Sequence, residues 1–194
     1  MIDMRVAIAL LVNEELCNSF ARITMKCRDY GFGLRVLRLP PHVSLKQPFI
    51  VPEFERFESY FDEFAASIEQ QSIAFDGFQF WAYPEGGVVS ARVVKDEHLR
   101  DLHTRLNSEL EHRFGNTQAE HDGDEYAFHL TVAIGPYREE SLPQLKADLA
   151  ALTVDDHTVS SRLAVFIYEE SMQPDSLYGV REFGTYKILP LRKI

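Results

Sequence analysis

A chain of 194 residues with 45% hydrophobic content can bury a substantial core and fits one domain over residues 1–194. Its formal charge of −10 argues against a general nucleic-acid binder, which shows a basic patch or stripe, so long RNA along an extended surface is not expected. A small anionic ligand, or a terminal nucleotide in a local basic groove, stays compatible with that charge.

Cys17 and Cys27 fall in one predicted helix, at neither a zinc spacing nor a disulfide spacing, and read as reduced thiols. The apolar run Val6–Val12 is too short to span a membrane, and no cleavable targeting segment precedes it. A cytoplasmic monomer without a membrane partner is the expectation.

In chain order, Met4–Val12 is rich in Val, Ile and Leu and reads as a buried strand. Asn13 is a candidate helix cap, with Glu14 and Glu15 in the first turn and Gly31 and Gly33 past an end near Tyr30. Leu34–Leu39 leads through Pro40 and Pro41 into a strand that begins at His42. Glu53–Gln70 carries Phe54, Phe57, Phe61, Phe64 and Ile68 at helical spacing, a stripe that reads as core. Ile73–Tyr83 and Val88–Val94, joined through Pro84-Glu85-Gly86-Gly87, predict a hairpin. Asp96 can cap a helix to about Phe114, with Leu99, Leu102, Leu106 and Leu110 on one face. Gly115–Glu125 reads as a solvated acidic loop before a strand at Tyr126–Gly135. A helix over Glu139–Ala151, a strand over Thr158–Glu169, a polar loop over Ser171–Ser176 and a closing strand over Phe183–Leu191 complete the chain. The order strand, helix, motif strand, helix, strand is expected twice.

Two stretches in this layout say nearly the same thing: His42-Val43-Ser44-Leu45 and His129-Leu130-Thr131-Val132. Side chains alternate along a strand, so each histidine shares a face with the hydroxyl two positions on. Alternation also puts Lys46 on the face of His42 and Ser44, and sends Phe128, Leu130, Val132 and Ile134 to the core side. The other histidines, His98, His103, His112, His121 and His157, have no hydroxyl at that offset. His98, His103 and His112 read as surface residues. Two inward imidazoles, each beside a hydroxyl, suit acid–base chemistry on an anion, because histidine titrates near neutrality. The competing reading is two half-buried strand histidines with no joint role.

The paired motifs resemble those of the two-histidine (2H) phosphoesterase superfamily, which includes bacterial RNA 2',3'-cyclic phosphodiesterases and 2'-5' RNA ligase-like proteins. The resemblance implies an α+β fold of two pseudo-symmetric lobes, with duplicated antiparallel sheets, flanking helices and a central groove. It implies metal-independent and cofactor-free cleavage of a nucleotide or RNA-end phosphodiester. His42 and His129 carry over as the catalytic pair, and Ser44 and Thr131 as the phosphate-binding hydroxyls. Lys46, Tyr137 and Arg138 are further candidates for substrate contact. Phe49, Tyr83 and Trp81 are aromatic candidates for stacking on a base, with core the preferred reading for Trp81.

Two other functions are open at this stage. One is a nucleotide or RNA-end binding module on the same fold. The other is a zinc hydrolase using His121, Asp122, Asp124, Glu125 and His129, a cluster without H-E-x-x-H spacing and interrupted by Gly123.

Overall fold

Local signals place most of the helices and strands. A computed structural model of the chain describes residues 4–84, 86–152, 157–170 and 180–193. Strand β1 (Met4–Leu11) is followed by helix α1 (Glu14–Cys27), whose cap Asn13 accepts a hydrogen bond from the Leu16 amide at 2.9 Å. The helix ends short of Tyr30, because the backbone tightens to a 3-10 turn over Arg28–Tyr30 that stops at Gly31 with φ 99°. A second 3-10 turn, Arg35–Arg38, precedes the first motif strand, β2 (His42–Val51). Helix α2 (Phe54–Ser67) then leads to the hairpin β3 (Gln71–Tyr83) and β4 (Gly86–Val93). Asp96 caps α3 (Glu97–Phe114) by accepting from the Leu99 amide at 2.9 Å. The second motif strand is β5 (His129–Gly135), and α4 (Leu142–Ala150) follows a 3-10 turn over Glu139–Ser141.

The strand expected over Thr158–Glu169 is two strands, β6 (His157–Ser160) and β7 (Arg162–Glu170). They separate at Ser161, where Ser160 Oγ donates to the Arg162 carbonyl at 3.2 Å, and they pair with different partners: β6 with β3, β7 with β1. Strand β8 (Val180–Pro190) closes the sheet. The polar loop expected over Ser171–Ser176 lies outside the described residues.

The strands form one eight-stranded sheet in the order β6-β3-β4-β5-β2-β1-β7-β8, with every named pair antiparallel. The two expected sheets are thus joined edge to edge at β2 and β5. That seam has one register pair, Val43 with Leu130. The element order β1-α1-β2-α2-β3 recurs as β4-α3-β5-α4-β7, with β6 preceding β7. The third strand of each series crosses over: β3 pairs with β4, and β7 pairs with β1.

The four described helices share one sheet face. Phe20 and Ile23 of α1, Phe57 and Phe61 of α2, Leu102 and Leu106 of α3 and Leu145 of α4 bury against Ile8, Leu10, Val43, Leu45, Leu130 and Val132 in one cluster. The alternate residues of β1 and β7, Ala9, Leu11, Ala164 and Phe166, form a small second cluster on the opposite face, covered by Leu39 and Tyr168. The motif histidines sit on that second face. The helix-packed core therefore makes the back wall of the site.

Candidate active site

His42 and His129 are each the first residue of their strand. In both, ring nitrogen Nδ1 lies 2.8 Å from the carbonyl two residues earlier, Pro40 for His42 and Ala127 for His129. A carbonyl only accepts, so Nδ1 carries the proton and Nε2 is left as the basic nitrogen. The two rings are buttressed alike. His42 meets Phe166 edge-to-face at 4.5 Å between centroids, and His129 meets Trp81 edge-to-face at 5.0 Å.

Val43 and Leu130 each follow a motif histidine, and they are register partners. Antiparallel continuation sets His42 on the side of Thr131 and Ser44 on the side of His129. Each imidazole is therefore neighboured by a hydroxyl from its own strand and one from the opposite strand. Ser44 and Thr131 are half-buried, as are both histidines.

Burial sets the electrostatics. Desolvation pushes His42 down to about 4, opposed by the hydrogen bond to Pro40 and helped by the neighbouring His129. Desolvation also lowers His129, against its hydrogen bond to Ala127. Both rings are neutral near pH 7 before an anion arrives.

Immediately after each hydroxyl the strand bulges. Ala9 faces Ser44 and Ile8 faces Lys46, so β2 inserts Leu45 as an extra residue. Ser90 faces Thr131 and Val89 faces Ala133, so β5 inserts Val132. A bulge shifts the alternation by one. Lys46 and Ala133 consequently turn to the helix side, and both are fully buried. Lys46 does not share the face of His42. It forms an ion pair with Asp122, whose side chain is 2% exposed. Ile134, expected in the core, falls on the histidine side and is half-buried.

Asp122 corrects the expectation of a solvated acidic loop. Its Oδ2 accepts from Lys46 and from the Ala119 amide at 2.7 Å, while its Oδ1 is buried without a partner. His103, expected at the surface, is 1% exposed. Its Nδ1 donates to the Leu45 carbonyl at 2.7 Å and its Nε2 accepts from the Gly123 amide at 3.3 Å. Tyr126 stacks on His103 at 4.3 Å between centroids and donates from its hydroxyl to the Ser44 carbonyl at 3.2 Å. Among the described residues, the acidic loop brings no set of three metal-ligating side chains together.

The remaining candidates divide. Tyr137 stacks on Phe32 at 5.7 Å and meets Phe80 edge-on at 5.1 Å, packing against the helix-side core. Arg138 is spent on the backbone, its guanidinium on the Asp29 carbonyl and its amide on Tyr30 O at 2.8 Å. Phe49 is core at 4% exposure and Tyr83 is exposed. Trp81, expected in the core, is half-buried against His129. Two residues beside the motif strand were not singled out from sequence. Arg92 is the register partner of His129 and binds Asp76 at 2.9 Å, and Ser90, the partner of Thr131, has a buried Oγ without a hydrogen bond. Their signal lies only in cross-strand register. A cleft of about 820 Å³, lined by Gln47, Pro48, Ile50, Phe114, Asn116 and Gln118, opens along β2 beyond Lys46.

Paired strand histidines on the open face of one antiparallel sheet, with helices on the other, are the layout of a two-histidine phosphoesterase. A sequence profile matches residues 12–171, and the chain belongs to the 2'-5' RNA ligase superfamily. Among solved structures it is similar to TT0787 of Thermus thermophilus, at 15% identity over 97% of this chain and 98% of that one, with a TM-score of 0.62. It is also similar to E. coli LigT complexed with 3'-AMP, at 14% identity over 97% and 98% of the two chains and a TM-score of 0.56. Kluyveromyces marxianus Usb1 matches at 12% identity over 84% of this chain and 93% of its own, with a TM-score of 0.54. Searching the curated proteins finds no match. No described helix is long and apolar enough to cross a membrane.

Proposed function

We propose that the protein is a metal-independent phosphodiesterase that opens a 2',3'-cyclic phosphate, or a related nucleotide or RNA-end diester, by acid–base catalysis between His42 and His129. Family membership supports phosphodiester chemistry, and the observation that carries the finer reading is the matched pair of Nδ1–carbonyl hydrogen bonds. They leave two Nε2 atoms with the same presentation on either side of the seam.

One ring acts as base and the other as acid; the two-sided site allows either order, and we take His42 as base and His129 as acid. Burial pushes His42 down to about 4, which keeps it unprotonated over a wider range than an ordinary histidine. Water attacks phosphorus as His42 Nε2 takes its proton. The P–O bond to one ribose oxygen breaks, and that oxygen takes the proton from His129 Nε2, leaving a monoester and a free hydroxyl. Ser44 and Thr131 donate to the non-bridging oxygens, where charge builds in the transition state. The anion itself raises the proton affinity of both rings, which charges His129 when substrate binds. Trp81, beside His129, offers an aromatic face to a base, and the solved complex of LigT with 3'-AMP supports a nucleotide ligand.

The test is hydrolysis of the four nucleoside 2',3'-cyclic phosphates with EDTA present, for wild type, His42→Ala and His129→Ala. Turnover that survives chelation and is lost in both variants is expected. Activity abolished by EDTA would sink the metal-free mechanism, and binding without turnover would move the protein to the nucleotide-binding reading.

A further inference from the structure

The bulges that follow Ser44 and Thr131 take one carbonyl each out of regular strand pairing. Both carbonyls are captured from the helix side. Thr24 of α1 places its Oγ1 2.7 Å from the Val132 carbonyl, closer than the 3.0 Å to Phe20 O within its own helix. His103 of α3 donates from Nδ1 to the Leu45 carbonyl at 2.7 Å. Val132 and Leu45 are the inserted residues of the two motifs. Thr24 is 2% exposed and His103 1%, so neither bond competes with water. The capture is crossed. Helix α1, which leads into β2, holds the bulge of β5, while α3, which leads into β5, holds the bulge of β2.

We infer that Thr24 and His103 are positioning residues: each fixes the bulge that aims the motif hydroxyl just before it, Thr24 acting through Thr131 and His103 through Ser44. The inference rests on the two hydroxyls binding phosphate. Its physical basis is that a bulge leaves its extra residue unpaired and bends the strand, which re-aims the side chains beside it. A buried donor on the freed carbonyl fixes that bend, and small misplacement of an orienting group costs rate steeply. His103 is suited to the task in its neutral form, with Nδ1–H donating to Leu45 and Nε2 accepting from Gly123. Burial lowers its pKa and so favours that form.

Double-mutant cycles on kcat test this. Thr24→Val, which keeps the shape and removes the hydroxyl, is expected to lower kcat about ten- to a hundred-fold with little change in KM. It should lose that effect when Thr131 is already Ala and keep it when Ser44 is Ala. His103→Leu should show the mirror pattern, coupled to Ser44→Ala and independent of Thr131→Ala. Thr24→Ser and His103→Asn, which restore a donor near the same place, should recover most of the rate. A structural role alone would lower thermal stability and affect both backgrounds equally. Folded Thr24→Val with wild-type kcat, or an equal effect in both backgrounds, overturns the inference while leaving the phosphodiesterase reading intact. Should His103→Leu not fold, the Thr24 cycle and His103→Asn decide. If wild type hydrolyses no cyclic phosphate, the same cycles are read as affinity for inorganic phosphate by calorimetry. Absence of both turnover and phosphate binding overturns the site reading, and this inference with it.

Discussion

Val43 and Leu130 hold the same place in their motifs and are each other's register partner across the seam between β2 and β5. An approximate twofold axis through that pair relates the two histidines, the two hydroxyls and the two bulges. Catalysis that depends on both sides of such an axis is not additive. His42→Ala and His129→Ala are each expected to cut kcat by about 10² to 10⁴, with the double variant little worse than the poorer single. Steady-state kinetics on a nucleoside 2',3'-cyclic phosphate reads this, and independent multiplicative effects would count against a joint role.

The pH optimum of kcat/KM should be acidic. In the proposed mechanism the base, taken as His42, must be unprotonated, which holds above about 4. Its partner in the proposal, His129, must be protonated, which holds below a pKa that burial depresses from the ordinary histidine value. The profile is therefore a bell whose alkaline limb falls below about 6.5, the value of an unperturbed histidine. A profile still rising through neutrality would show that the pair does not carry depressed pKa values in the free enzyme.

Trp81 covers His129, so its removal should hydrate the ring. In Trp81→Ala the pKa of His129 rises toward the ordinary histidine value, and the alkaline limb moves up with it. Titration of the histidine ring protons by NMR measures the shift directly, and an unmoved His129 would show that the indole contributes no desolvation.

Removing one partner of a buried ion pair leaves the other charged and unsolvated. Lys46→Met should cost about 3–5 kcal/mol of stability, and Lys46→Met with Asp122→Leu considerably less. Urea denaturation of the three proteins provides the comparison. A double variant as unstable as the single would place the cost in packing and not in the orphaned carboxylate.

Acid should destabilise the fold through its buried histidines. His42 and His103 have depressed pKa values in the folded state, so the unfolded chain binds their protons first. Stability is then level above the unfolded pKa of about 6.5 and falls as pH drops below it. Melting temperatures across that window check the sign, and His103→Asn should flatten part of the slope.

How much of this is legible in the sequence follows from which features leave a local mark. His42, Ser44, His129 and Thr131 are readable because strand alternation acts over two residues. Lys46 reads onto the wrong face because a bulge adds one residue without any change in composition. His103 does carry a signal: with Leu99, Leu102, Leu106 and Leu110 it completes the buried stripe of α3, although its charged neighbours suggest the surface. Asp122 carries none, since the lysine that buries it lies 76 positions away and its neighbours are polar. Trp81 looks like core because an indole on a strand gives no sign of which sheet face it takes.

The crossed strands tie the two series of elements together. Strand β3 finds its partner in β4, and β1 finds one in β7, so neither series of elements completes its own sheet. Each series leaves the other a strand edge to cover, so the two motif strands are locked into one cooperative sheet and neither half of the chain carries a closed sheet of its own.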